Sequence, residues 1–170
     1  MTGRILVAYA TKHGSTQEVA ESIAASLREQ GLDVDLSRAE NVHDLTGYAG
    51  VVLGGALYMG RLHEHALRFL RRYRASFDSV PLALFGMGPR TVEASDVLRS
   101  GAQLQAGLSK APGVTPIAAA VFGGVIDPAK LHFPFSKMPA SDARDWDAIE
   151  AWAREVGAAF GARTAVAMTR

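Results

Sequence analysis

Ile5-Leu-Val-Ala-Tyr-Ala10 runs directly into Thr11-Lys12-His13-Gly14-Ser15-Thr16, and this junction decides the fold. The first six residues are apolar without interruption, as expected of a strand buried on both faces of a parallel sheet. The run breaks at Thr11. A helix follows from about Ser15 to Gln30, with Ala20, Ile23, Ala24 and Leu27 as its apolar stripe and Val19 beside them. Ser15 and Glu18 have capping-box spacing, which predicts a helix start closed by side chains. Gly31 is placed to stop the helix.

The same alternation continues along the chain. Asp33-Val-Asp-Leu-Ser37 alternates and reads as a strand exposed on one side, and short apolar runs at 50–55, 81–87 and 115–122 read as further strands. Amphipathic stretches from about His63 to Phe77, Val92 to Leu108 and Trp146 to Phe160 read as helices. Asn41 to Leu45 reads as a short helix or turn. A βα alternation of this kind predicts an α/β fold with a parallel sheet. Five strands at this length fit a doubly wound sheet in the order 2-1-3-4-5, whose ligand crevice lies outside the carboxyl ends of strands one and three. The loops 11–16 and 56–61 should therefore carry the site. Residues 1–162 read as one domain, and 163–170 as a frayed tail.

Composition narrows the function classes. The 170 residues are 48% hydrophobic and 21% charged, which is ordinary for a globular domain. There is no cysteine, so disulfides, thiolate metal sites and a cysteine nucleophile are excluded. The 18 basic residues nearly balance the 17 acidic ones, and nucleic-acid binding usually needs a clear basic excess. Arg68, Arg71, Arg72 and Arg74 scatter around one helix and read as a solvated face. No run approaches the roughly 20 apolar residues of a transmembrane helix, and the expectation is a cytoplasmic protein. His63 and His65, two apart on a helix, should point to opposite sides and make a poor metal pair. No metal site is expected.

The loop Thr11 to Thr16 offers three hydroxyls, one glycine and the start of a helix. Free amides and the helix dipole there suit a phosphate dianion. The loop is neither a dinucleotide fingerprint nor a Walker A motif. A polar loop that only caps its helix is the competing reading.

Thr11, Gly14 and Thr16 match the flavodoxin phosphate loop, T/S-x-T-G-x-T, and His13 stands where a hydroxyl is usual. The chain thus resembles the flavodoxin-like, FMN-binding family. Gly54-Gly55-Ala56-Leu57-Tyr58-Met59-Gly60-Arg61-Leu62-His63, together with Asp145-Trp146 and Ala153-Arg154-Glu155-Val156, resembles the menaquinone-dependent protoporphyrinogen oxidase branch of that family. The resemblance implies a flavodoxin-like three-layer sandwich with FMN as cofactor. Thr11, Lys12, His13, Gly14, Ser15 and Thr16 would then hold the phosphate. Ala56, Leu57, Tyr58, Met59 and Gly60 would lie along the ring, with Tyr58 stacked on it. Gly86, Met87 and Gly88 would meet its other side, and Phe122, Gly123 and Gly124 would close the strand-five edge. Arg90 is placed either to meet a substrate phosphate or carboxylate, or to face solvent.

The implied function is an FMN-dependent oxidoreductase with a redox partner or a quinone, porphyrinogen or other small-molecule substrate. The alternatives are a small electron carrier and a cofactor-free binding module on the same fold. Carriers usually have a strongly acidic surface. Net charge +1 and a pI near 8.1 argue mildly for the enzyme. A phosphorelay receiver would need carboxylates at the end of strand one, where Ala10-Thr11-Lys12 has none. The stretch 123–145 is long for a connection, leaves the functional edge and reads as a lid or docking surface. It looks shorter than in the oxidase branch, which weakens the case for a porphyrinogen substrate and for a membrane-associated quinone contact.

Overall fold

Strand β1 (Arg4–Ala10) lies between β2 (Val34–Arg38) and β3 (Tyr48–Tyr58). The computed structural model describes residues 3–89 and 93–169. Arg90 and the expected helix start at Val92 lie outside them. The main sheet runs β2-β1-β3-β5-β6, with β5 at Leu82–Met87 and β6 at Ala118–Phe122, all parallel. This is the expected order 2-1-3-4-5. The numbering shifts because β4 (Arg61–Leu62) folds back on the end of β3.

Alternation along β1 feeds two apolar layers. Ile5, Val7 and Tyr9 face helices α1 (Ser15–Glu29) and α4 (Trp146–Met168). Leu6, Ala8 and Ala10 face the side of α2 (Glu64–Arg72) and α3 (Ala94–Leu108). The apolar stripes of α1 and α4 are buried as their periodicity predicts, with Ile23, Leu27, Ile149 and Phe160 almost fully enclosed. In the first layer Phe85 packs against Phe122 at 5.8 Å and Trp152 at 6.0 Å between ring centroids. A side chain on Gly54 would clash with the Phe85 ring, so the glycine makes room for it.

Four elements depart from expectation. β3 continues past Gly55 to Tyr58, so the loop 56–61 is in fact a strand end and a tight hairpin. Its two central residues, Met59 (φ 51) and Gly60 (φ 76), both have positive φ, the signature of a type I′ turn. Glycine takes this shape freely, whereas Met59 does so at a cost. The segment expected at 63–77 is a nine-residue α-helix followed by a 3₁₀ turn at Arg74–Asp78. The 3₁₀ turn after β2 covers Ala39–Asn41 rather than starting at Asn41. Residues 163–168, expected as a frayed tail, extend α4.

The long connection 123–145 crosses the carboxyl edge of the sheet. It carries the two-stranded ribbon β7 (Val125–Ile126) and β8 (Ser141–Asp142), with 3₁₀ turns at Pro128–Lys130 and Phe135–Lys137 between them.

Candidate functional site

The carboxyl ends of β1, β3 and β5 open onto a cavity of about 430 Å³. Thr11, Lys12, His13 and Ser15 line it from the first loop, and Ala56 to Gly60 from the hairpin. Met87, Gly88 and Pro89 line it beyond β5, and Gly124 beyond β6. The structure therefore brings most of the expected site residues to one place, at the predicted switch point. A second, more polar groove lies at the opposite end, against Arg4, Asp33 and Tyr48. It sits beneath the amino ends of the strands, away from the switch point.

The start of α1 differs from the expected capping box. Gly14, not Ser15, is the N-cap, with φ 93, and no side chain caps the helix. Only glycine adopts that left-handed conformation readily. The Thr11 hydroxyl is used inside the loop, accepting from the Gly14 amide at 2.9 Å. Thr16 is fully buried and its Oγ1 has no hydrogen-bond partner. The Nε2 of His13 is likewise buried without a partner. Buried polar atoms left unmade cost free energy unless something satisfies them. Two such atoms beside an uncapped helix start fit a polyanionic group such as a phosphate.

His13 has its pKa lowered, first by burial and then by the neighbouring charges of Lys12 and Lys130. The uncharged imidazole is thus the folded form at neutral pH. The sign follows directly. Between the lowered folded pKa and the ordinary value of 6.5, the unfolded chain binds more protons than the folded one. Stability from this group is full above about 6.5 and is lost as pH falls through the folded pKa. His63 is also lowered, by burial and then by His65, and adds to the same slope. We expect urea unfolding to show lower stability at pH 5.5 than at pH 7.5. His13→Gln should flatten part of that difference, and an unaltered slope would remove His13 as a source.

Tyr58 stands over the mouth of the first loop. Lys12 Nζ lies 4.6 Å from its ring centroid, and the His13 ring meets it edge-on at 6.1 Å. The loop and the hairpin thus touch through one aromatic side chain. An aromatic face held there can cover a flat ring and exclude water from it.

Five expected residues do not line the cavity. Gly14 is a partly exposed turn residue with open space beside it, and Thr16 is buried in the first turn of α1. Phe122 turns instead into the core, against Phe85 and Trp152, because its strand position faces α4. Gly123 admits the Ala143 backbone, with which any side chain would collide. Gly86 lies against Leu57 and Leu104.

The cavity also has walls that the sequence did not announce. α3 presents Asp96, Arg99, Ser100 and Gln103 to it, with Arg99 and Asp96 paired at 3.6 Å. Val125, Ile126, Leu131 and Met138 close it from the 123–145 connection. Lys130 Nζ from that connection donates to the His13 carbonyl at 3.2 Å. The spacing of 96, 99, 100 and 103 is that of one helix face, but nothing in the sequence says which way the face points.

His63 and His65 do not point apart as expected. Their rings are 5.3 Å from each other, because His63 is the extended N-cap of α2 and not a helical residue. His63 Nδ1 accepts from the His65 amide at 3.1 Å. Among the described residues no group of three or more His, Asp or Glu side chains is arranged to hold a metal ion. Also among them, no helix is long and apolar enough to cross a membrane.

Comparison with known proteins gives a consistent result. Residues 6–138 match the model of the flavodoxin domain. Protoporphyrinogen IX dehydrogenase [quinone] of Escherichia coli K12 is 24% identical over 86 residues, 49% of this chain and 48% of that protein. The chain thus matches about half the length of this curated relative. Among solved structures, rubredoxin oxygen:oxidoreductase from Desulfovibrio gigas superposes with a TM-score of 0.63 at 16% identity. That match covers 95% of this chain and 37% of the other. A flavodoxin from Streptococcus pneumoniae TIGR4 gives 0.59 at 20% identity, covering 91% and 98%. At these identities the structural likeness speaks for the fold.

Proposed function

The chain belongs to the flavodoxin domain family, and from that premise we propose that it is an oxidoreductase using FMN, with the flavin phosphate on the 11–16 loop. The observation that carries this reading is the pair of unpartnered buried atoms, Thr16 Oγ1 and His13 Nε2, beside the uncapped start of α1. A flavin supplies electron and hydride transfer when bound, and the protein supplies binding, orientation and tuning.

The residues divide that work. The amides at the start of α1, with the hydroxyls of Ser15 and Thr16, hold the phosphate without a fixed cation. Charge-assisted bonds of this kind contribute roughly 1.5–3 kcal/mol each. The Tyr58 ring covers one face of the isoalloxazine and keeps water from it. Gly88, without a side chain, lets backbone approach the other face. The apolar wall of Leu131, Val125 and Met138, facing Arg99 and Gln103, suits a flat organic substrate with an acidic or carbonyl edge. A quinone fits that description, as does a porphyrinogen. The near-neutral net charge supports an enzyme over a carrier, which would be steered by an acidic surface.

The test is the visible spectrum of the purified protein before and after FMN is added. We expect flavin absorption bands, with the flavin fluorescence changed on binding. A colourless protein that ignores added FMN would leave a binding module on a flavodoxin fold.

A further inference from the structure

Arg144 lies 126 residues from Glu18 in sequence, yet its guanidinium donates to the Glu18 carboxylate from the far end of the 123–145 connection. It is a built position. Only 12% of the Arg144 side chain is exposed, against 59% for Glu18. Its Nε and Nη2 grip both oxygens of Asp142, at 2.9 and 2.7 Å. Its backbone amide donates to Asp142 Oδ1 at 3.1 Å, and its guanidinium lies 4.9 Å from the Trp146 ring centroid. The segment is pinned where Gly123 admits the Ala143 backbone and the Ala143 amide donates to the Gly124 carbonyl at 3.0 Å.

The partner of this arginine is a residue with another option. In Ser15-Thr-Gln-Glu18 the acid is spaced to fold back onto the first amides of the helix, as in a capping box. A carboxylate is also favoured there by the helix dipole. In the structure it does not fold back: the N-cap is Gly14 rather than Ser15, and no side chain caps the helix. Glu18 is drawn sideways to Arg144 instead.

We infer that Arg144 is a positioning residue for the phosphate site: it holds the Glu18 carboxylate away from the start of α1, so that the amides there stay open to an anion. Glu18 is a resident competitor for the phosphate, and the ribbon β7–β8 carries the group that restrains it. Another cation of the same connection, Lys130, holds the loop at the His13 carbonyl. This rests on the reading of the 11–16 loop as the FMN phosphate site.

FMN and riboflavin, which differ by the phosphate alone, separate the possibilities when titrated against the whole protein. Arg144→Gln frees Glu18 and should weaken FMN about tenfold, the scale of one charge at a helix terminus, with riboflavin affinity unchanged. Glu18→Gln alone should bind FMN as tightly as the wild type, or tighter. Glu18→Gln with Arg144→Gln should recover most of the loss, since the competitor is gone. Equal weakening of FMN and riboflavin by Arg144→Gln, or a double variant no better than Arg144→Gln, would overturn the inference and leave Arg144 as a strut of the ribbon. Weaker FMN binding by Glu18→Gln alone would overturn it as well. A wild-type protein that binds FMN no better than riboflavin removes the phosphate site itself, and the inference falls with it.

Discussion

Thr16→Val makes the cofactor-free protein more stable and its grip on FMN weaker. Valine copies the shape of threonine but has no hydroxyl. Thr16 is fully buried and its Oγ1 has no partner, so the free protein carries the cost of a desolvated, unpaired group. Such a group costs about 1–3 kcal/mol, which the substitution should relieve in large part. The complex loses a charge-assisted bond to the phosphate, worth roughly 1.5–3 kcal/mol, or about ten- to a hundredfold in affinity. Adding Ser15→Ala should bring the loss of binding to a few kcal/mol. Urea unfolding of the free protein and a fluorescence titration with FMN measure the two effects separately. Opposite signs in one variant identify a residue kept for binding. Unchanged FMN affinity in the double variant would show that the phosphate is held elsewhere.

Phe85→Ala should cost about 3–5 kcal/mol of stability, a large share of the roughly 5–15 kcal/mol typical of a folded domain. Phe85 is completely buried, with Phe122 and Trp152 against it. Its ring occupies the space that Gly54 leaves open on the neighbouring strand. Glycine has no side chain to move into the gap, so the cavity would stay. Phe85→Leu keeps more of the volume and should cost clearly less. Denaturant unfolding of both variants checks this ordering. A loss below about 1 kcal/mol for alanine would mean that the layer collapses around the gap. β5 also leads to Met87 and Gly88 at the cavity, so flavin binding should weaken with the alanine variant.

The parts of the molecule that follow local rules were legible in advance. The apolar run Ile5–Ala10 marked a strand buried on both faces, and β1 is an inner strand between β2 and β3 with both faces covered. The stripes of α1 and α4 marked their inner faces. Strand order then pointed to the loops 11–16 and 56–61, and residues of both meet at one cavity. What the sequence hid depends on contacts distant along the chain. Ser15 and Glu18 have the spacing of a cap, but Arg144 takes the acid and Gly14 takes the cap position. The resemblance made Phe122, at the end of its strand, a site residue, and strand alternation sends it into the core. The wall formed by Arg99, Ser100 and Gln103 belongs to a helix whose rotation is set by packing on β4 and β6. The expected end of α4 at Phe160 marks where its buried stripe stops, not where the helix does.

The sharing of β1 between two layers has a consequence for how the molecule comes apart. Ile5, Val7 and Tyr9 belong to one layer, and Leu6, Ala8 and Ala10 to the other. A slip of one residue would exchange the two sets and send large side chains to places shaped for alanine. Neither layer can melt while the other keeps its share of that strand in register. Loss of order on one side is felt at once on the other, and the two halves of the sandwich are one cooperative unit.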